Sequence, residues 1–279
     1  MKYTKAASLT SFLTIRPRDA AGDLYFPESL EDIARFTVKH RSFYLLGGGS
    51  NVIAGKVRRP VLSLRLLDGE SVTHEEKGGT VSVSMPAWAR VDQLMKYLVA
   101  NGLSGPEFMA GIPGTVGGAV VGNAAPKGCS WEGIVRSVAY AKEGDIVTSA
   151  PRFAYRSILG MPEPPYIVLF VELVLKKETT AKVRARVRRF LSKRLAIPYP
   201  SAGSLFRNPR KGTAGELLEQ AGCKGFSVGD AALYEKHANI VVNKGTARYA
   251  DLVALRDKAA ERVYRKHAVR LEPEVKFWE

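Results

Sequence analysis

Two glycine clusters hold the chemistry most directly readable in this chain: Gly47-Gly48-Gly49-Ser50-Asn51 and Gly111-Ile112-Pro113-Gly114-Thr115-Val116-Gly117-Gly118-Ala119. Glycine has no Cβ, so a run of it lets main-chain N–H groups turn toward an anion and approach it closely. Pro113 fixes φ among glycines on both sides, which suits a rigid loop facing a ligand. Two such loops point to one large, phosphate-bearing ligand held at several places. The first follows the apolar run Phe43-Tyr44-Leu45-Leu46, so it is expected at the end of a buried strand. A dinucleotide fingerprint does not fit, because the third glycine of G-x-G-x-x-G counted from Gly47 falls on Val52. A Walker loop fails too, since Lys244-Gly245-Thr246 follows no upstream glycine loop.

The elements that must position these loops read as a mixture of helices and strands. Phe26-Pro27-Glu28-Ser29 opens a helical pattern over 30–39, with Ser29 as N-cap and Asp32 three residues on. Val81, Val83 and Met85 alternate with serines, which is strand periodicity, and 90–101 reads as a helix stopped by Gly102. Further strands are expected over 134–141 and 167–175. The run from Lys176-Lys177 through Lys182, Arg184, Arg186, Arg188, Arg189, Lys193 and Arg194 carries Val183, Val187, Phe190 and Leu191 at helical spacing. That pattern describes an amphipathic helix with a basic, solvated outer face. The passage Ile197-Pro198-Tyr199-Pro200-Ser201-Ala202-Gly203-Ser204 is expected to be irregular. Beyond it come a helix over 214–221, a strand over 239–243, a helix over 249–266 and a last strand over 269–277. The fold class is α+β, with a domain boundary near residue 180.

The 279 residues are enough for two domains. Lys and Arg number 42 against 27 Asp and Glu, a net charge of +15 that suits either nucleic acid or small anionic substrates. The one aromatic residue in the basic run, Phe190, falls at the helix's apolar spacing and makes no base-stacking platform, so no nucleic-acid partner is expected. The longest apolar run, 166–175, is interrupted by Glu172, and the first eleven residues lack an apolar core. Neither a membrane span nor a secretory signal is therefore expected, and a cytoplasmic location is. Cys129 and Cys223 form no C-x-x-C pattern, and His40, His74, His237 and His267 lack ligand spacing, so no metal site is expected.

Leu46 with the first glycine cluster, and the second cluster with Asn123, resemble the two FAD-cradling loops of the UDP-N-acetylenolpyruvoylglucosamine reductase (MurB) family of bacterial cell-wall synthesis. Later blocks match the family in the same order: Tyr155-Arg156-Ser157, then Pro200-Ser201-Ala202-Gly203-Ser204-Leu205-Phe206-Arg207-Asn208-Pro209, then Ala214-Gly215-Glu216-Leu217-Leu218-Glu219-Gln220-Ala221-Gly222. His237-Ala238-Asn239 with Asn243, and Leu271-Glu272-Pro273-Glu274-Val275, complete the series. The short stretch after Arg156 resembles the type II branch. The N-terminal passage Leu9-Thr10-Ser11-Phe12-Leu13-Thr14-Ile15-Arg16-Pro17-Arg18 departs from the family's Asn-Thr and Gly-Gly pattern.

The resemblance implies a FAD-binding region of two α+β subdomains, of the vanillyl-alcohol-oxidase (PCMH) type, over 1–180. It implies a substrate-binding domain over 181–268, and a C-terminal strand, 269–279, that returns to the active site. It further implies FAD as cofactor and NADPH as co-substrate, with hydride passing from flavin N5 to the β-carbon of enolpyruvyl-UDP-GlcNAc. Cofactor contacts would come from Gly47, Gly48, Gly49, Ser50, Asn51, Gly111, Ile112, Pro113, Gly114, Thr115, Gly117, Gly118, Ala119 and Asn123. Ser204 would give a proton to the α-carbon, while Arg156 and Glu274 stabilise the enol-like intermediate. By residue type alone Arg156 reads as a surface arginine, Ser204 as a turn residue and Glu274 as an exposed strand residue, with Glu272 a nearby alternative. Tyr155, Asn208, Gln220 and His237 are expected to orient the sugar nucleotide, as are Asn239 and Asn243, while Lys193 and Arg194 are candidates for a diphosphate. A monomer is expected. A flavoprotein oxidase of the related fold and a basic nucleic-acid-binding protein are the competing readings.

Overall fold

A computed structural model describes residues 1–67, 73–126, 128–210 and 212–279. The chain forms two compact units: Met1–Tyr3, Tyr25–Gly48 and Leu62–Leu195 make the first, and Thr4–Leu24, Gly49–Val61 and Ala196–Glu279 the second. The sequence placed one boundary near residue 180, whereas two N-terminal segments belong with the C-terminal unit. Strands Lys2–Ser8, Ala21–Phe26 and Lys56–Ser63 each carry residues of both units.

The first unit is built on a six-stranded sheet ordered Asp145–Ser149, Val135–Lys142, Ile167–Lys177, Thr80–Pro86, Thr73–Lys77, with Leu103–Ser104 also paired to Ile167–Lys177. Helix α1 (Leu30–Lys39) starts where Ser29 Oγ accepts the Asp32 N–H. Helix α2 (Val91–Asn101) ends at Gly102, whose φ of +61° is the left-handed cap that glycine adopts readily. Short helix α3 (Val116–Val121) follows the second glycine loop, and α4 (Thr180–Leu191) is capped by Thr179. Inward residues Val81, Val83, Val171 and Leu173 of the sheet form one apolar core with Leu94, Leu98, Val116, Val120, Val183 and Val187 from these helices. Lys176 and Lys177 end the long strand rather than begin α4, so the basic run spans two elements.

The second unit holds an antiparallel sheet ordered Ser201–Ser204, His237–Asn243, Ala231–Tyr234, Ser227–Val228. Against it stand α5 (Ala214–Gln220), opened by a Thr213–Glu216 capping box, and α6 (Tyr249–His267). The passage expected to be irregular thus supplies the strand Ser201–Ser204. Gly203 makes this possible: its φ of +76° accommodates a shift of register between Ser201 and Gly203. The final strand is shorter than expected, only Lys276–Trp278, pairing parallel with Val52–Ala54. Residues 271–275 instead run irregularly, joined to the chain at 205–207 by single main-chain bonds and the bridge Phe206–Pro273. Among the described residues no helix is long and apolar enough to cross a membrane, and no three His, Cys, Asp or Glu side chains gather as metal ligands do.

Candidate active site

The strand Tyr44–Leu46 delivers Gly47 and Gly48 directly against the second glycine loop. A Cβ on Gly48 would lie 2.6 Å from Gly114 Cα, and one on Gly47 would lie 2.8 Å from Thr115 Oγ1. Gly48 is therefore required by the approach of two backbones, and Gly47 makes room for the Thr115 side chain. The second loop is stitched to its own unit: Val116 and Gly117 N–H donate to Ala89 and Ala87 carbonyls, and Val91 N–H donates to Gly114 O. Thr115 Oγ1 accepts the Gly118 N–H. Gly117 and Ala119 are buried and serve packing, the half-buried Ile112 rests on the core, and Pro113 and Gly118 are exposed. Gly47, Gly48 and Gly114 are half-buried and Gly118 is exposed, and none of the four carries a side chain over its main chain.

Asn123 is buried, and its whole amide is used inside the fold. Its Nδ2 donates to Ala154 O at 2.8 Å, while Oδ1 accepts from Trp131 N–H and Ser130 Oγ. Ala154 ends one arm of a hairpin, Arg152–Ala154 paired with Ser157–Leu159, whose two-residue turn is Tyr155-Arg156. Arg156 takes a left-handed φ of +56°, donates from Nη1 to Ala125 O at 2.9 Å, and lies 5.3 Å from the ring centre of the exposed Tyr155. Asn123 therefore fixes the turn that presents Arg156.

In the second unit, Gly49 takes φ +66°, and a Cβ there would stand 1.9 Å from Phe12 O. Thr14 N–H donates to Gly49 O, and Thr14 Oγ1 donates to Ser201 O at 2.6 Å. The divergent N-terminal segment so joins the end of the first glycine loop to the strand leading to Ser204. Ser204 is half-buried and paired with Ile240. Immediately after it, Leu205 N–H donates to Asn239 O, and Leu205 O accepts the Glu274 N–H at 2.9 Å. Asn51 Nδ2 donates to the Glu274 carbonyl at 3.2 Å, and Asn51 O accepts Lys276 N–H. The serine loop, the terminal acid and the asparagine of the first glycine loop meet here; Ser50 is half-buried beside them in sequence. Glu272 is exposed, and its carbonyl accepts Arg207 N–H.

Asn239 and Asn243, expected to orient the sugar nucleotide, both bond main chain inside the fold. Asn239 Oδ1 accepts Phe206 N–H and its Nδ2 donates to Phe206 O; Asn243 Nδ2 donates to Ile15 and Arg16 carbonyls while Oδ1 accepts Gly245 and Ala247 N–H. Both are buried in a strand of otherwise apolar inward residues, a signal visible in the sequence that marks structural asparagines. Asn208 is exposed and its Oδ1 accepts Ala214 N–H at the start of α5. Gln220 is exposed at the end of that helix, and the exposed His237 accepts Asn239 N–H at Nδ1. Thr14, which bonds both Gly49 and Ser201, was not singled out from the sequence, because it lies where the N-terminal pattern departs from the family's.

A family model of the FAD binding domain matches residues 25–148, and one described as UDP-N-acetylenolpyruvoylglucosamine reductase, C-terminal domain, matches 195–278. The chain is 38% identical to UDP-N-acetylenolpyruvoylglucosamine reductase 2 of Symbiobacterium thermophilum, over 84% of this chain and 77% of that protein. It is 34% identical to the reductase of that name from Acaryochloris marina, over 97% and 91% of the two chains. Among solved structures, the reductase (MurB) from Thermus caldophilus superposes with a TM-score of 0.82 at 29% identity, covering 100% of this chain and 98% of that one.

Proposed function

This chain belongs to the UDP-N-acetylenolpyruvoylglucosamine reductase family, and we propose from that membership that it reduces UDP-N-acetylenolpyruvoylglucosamine to UDP-N-acetylmuramate with NADPH, as a monomer in the cytoplasm. It is a FAD-dependent oxidoreductase of peptidoglycan precursor synthesis. The residues present fit that cofactor: glycine at 47 and 48 lets the two glycine loops lie against one another, where a Cβ would stand 2.8 Å from Thr115 Oγ1 or 2.6 Å from Gly114 Cα, and Gly47, Gly48, Gly114 and Gly118 carry no side chain over main-chain N–H groups of the kind a diphosphate needs. We assign FAD holding to those loops, with Ser50, Asn51 and the remaining residues of both clusters, and the FAD-binding region to 1–180. Bound there, FAD supplies hydride at N5 and is recharged by NADPH.

Hydride arrival at the β-carbon places an electron pair on the substrate's α-carbon and carboxylate. Arg156 is assigned to the carboxylate, because a planar guanidinium can bind it bidentately. Ser204 is assigned to protonating the α-carbon from Oγ, with Glu274 stabilising the enol-like form. Tyr155, Asn208, Gln220 and His237 are assigned to the sugar nucleotide. The observation carrying the reading is the Leu205 O to Glu274 N–H bond, completed by Asn51 Nδ2 on Glu274 O, which ties proton donor, acid and glycine loop within one unit. Ser204→Ala should leave flavin reduction by NADPH intact and slow flavin reoxidation by the substrate by about 100-fold or more, since proton transfer belongs only to that half-reaction. Stopped-flow absorbance of each half-reaction tests this, and equal slowing of both would remove Ser204 from the proton step.

A further inference from the structure

The basic helix α4 is not uniformly solvated. Arg184, Arg188 and Arg189 are exposed, while Arg186 and Arg194 are half-buried and spent on the segment that leads into the second glycine loop. Arg186 donates from Nη1 to Ser104 Oγ at 2.6 Å and pairs with the carboxylate of Glu107, which is 3% exposed; its Nη2 donates to Glu178 at 2.9 Å. Glu107 in turn accepts from Ser104 Oγ and Gly105 N–H, both at 2.7 Å.

Arg194 works one turn further along the same segment. Its Nε donates to Ala110 O at 2.8 Å and its Nη2 to Phe108 O. A Cβ on Gly111 would lie 2.9 Å from Arg194 Cγ and 3.0 Å from Leu191 Cδ2, and Gly111 takes φ +76°. Position 111 is therefore glycine because the arginine side chain passes beneath it. Arg194, which the sequence offered as a diphosphate ligand, gives Nε and Nη2 to carbonyls of the protein.

We propose that Arg194 is a positioning residue for the 111–119 loop, and through that loop for the flavin, rather than a ligand of either nucleotide's phosphates. The proposal rests on the reading that this loop holds FAD. A charged fork bonded to two carbonyls of one turn is stronger than neutral donors would be, and its loss leaves both carbonyls unpartnered directly before Gly111. Lysine brings a single point charge and cannot reproduce the fork.

The test is titration of apoprotein with FAD, followed by flavin fluorescence, for the wild type, Arg194→Met, Arg194→Lys, the surface control Arg188→Met and the loop control Gly48→Ala. Arg194→Met should weaken FAD binding about tenfold or more, with Arg194→Lys between it and wild type and Arg188→Met unchanged. Amide hydrogen exchange should quicken at 108–119 in both Arg194 variants, which reads the loop even if the methionine variant folds poorly. At saturating FAD, KM for NADPH and for the UDP-sugar should hold. Unchanged FAD affinity in Arg194→Met alongside a loss in Gly48→Ala, or a raised KM with FAD affinity intact, overturns the proposal. Unchanged affinity in both Arg194→Met and Gly48→Ala overturns the loop reading itself, and the proposal with it.

Discussion

Glu274 is fixed at both of its main-chain ends, by Leu205 O on its N–H and by Asn51 Nδ2 on its carbonyl, so the side chain starts from a defined place. Glu272, two residues earlier, is exposed and contributes its carbonyl to Arg207 N–H. Glu274→Gln should therefore slow flavin reoxidation by the substrate by about 100-fold or more with little change in KM, because the charge it answers exists near the transition state. Glu272→Gln should stay close to wild type in the same stopped-flow assay, and similar defects in both would move the acid elsewhere. At this scale the sequence offered the residues but not their work. Asn123, Asn239 and Asn243 have the type of a ligand contact, and only the carbonyls and N–H groups around them show that their amides are already used. Ser204, Arg156 and Glu274 were singled out through their motifs, since serine in a turn or arginine after a strand is otherwise ordinary.

The asparagines also bind elements together. Asn243 holds the carbonyls of Ile15 and Arg16 and the N–H groups of Gly245 and Ala247, so Asn243→Ala leaves buried main chain unsatisfied and should cost about 2–4 kcal/mol in denaturant unfolding. Asn208→Ala, which removes the acceptor of the Ala214 N–H at the start of α5, should cost about 1 kcal/mol. Comparable losses would mean the second unit does not depend on the Asn243 junction. Helices α1 and α2 were legible because their end signals are local: Ser29 caps one and left-handed Gly102 stops the other. Two strands were misjudged because their causes are not local. Ser201–Ser204 survives a Pro/Gly/Ser-rich passage by a register shift at Gly203, and 271–275 has buried Leu271 and Val275 but bonds to a loop rather than a sheet. The inward pair Arg186 and Arg194 was hidden for the same reason, since its carbonyl and carboxylate partners lie about 80 residues away in the chain.

For the molecule as a whole, α+β character was readable from alternating periodicities, while the interleaving of two units was not. The strand Lys2–Ser8 is exposed at nearly every position and shows no two-residue rhythm, so nothing in its sequence announces its pairing. The net charge of +15 is partly internal, with Arg186 and Arg194 bonded inside the first unit, and the exposed remainder suits attraction of anionic nucleotides. The central claim is that this chain carries electrons from NADPH to an enolpyruvyl sugar nucleotide, and one anaerobic absorbance experiment on the purified, FAD-loaded protein tests it. The flavin spectrum should bleach on adding NADPH and return on adding UDP-N-acetylenolpyruvoylglucosamine, with one UDP-N-acetylmuramate formed for each flavin reoxidised. A protein that takes up no FAD, or a reduced flavin that stays bleached on adding the sugar nucleotide and returns only when air is admitted, would contradict it.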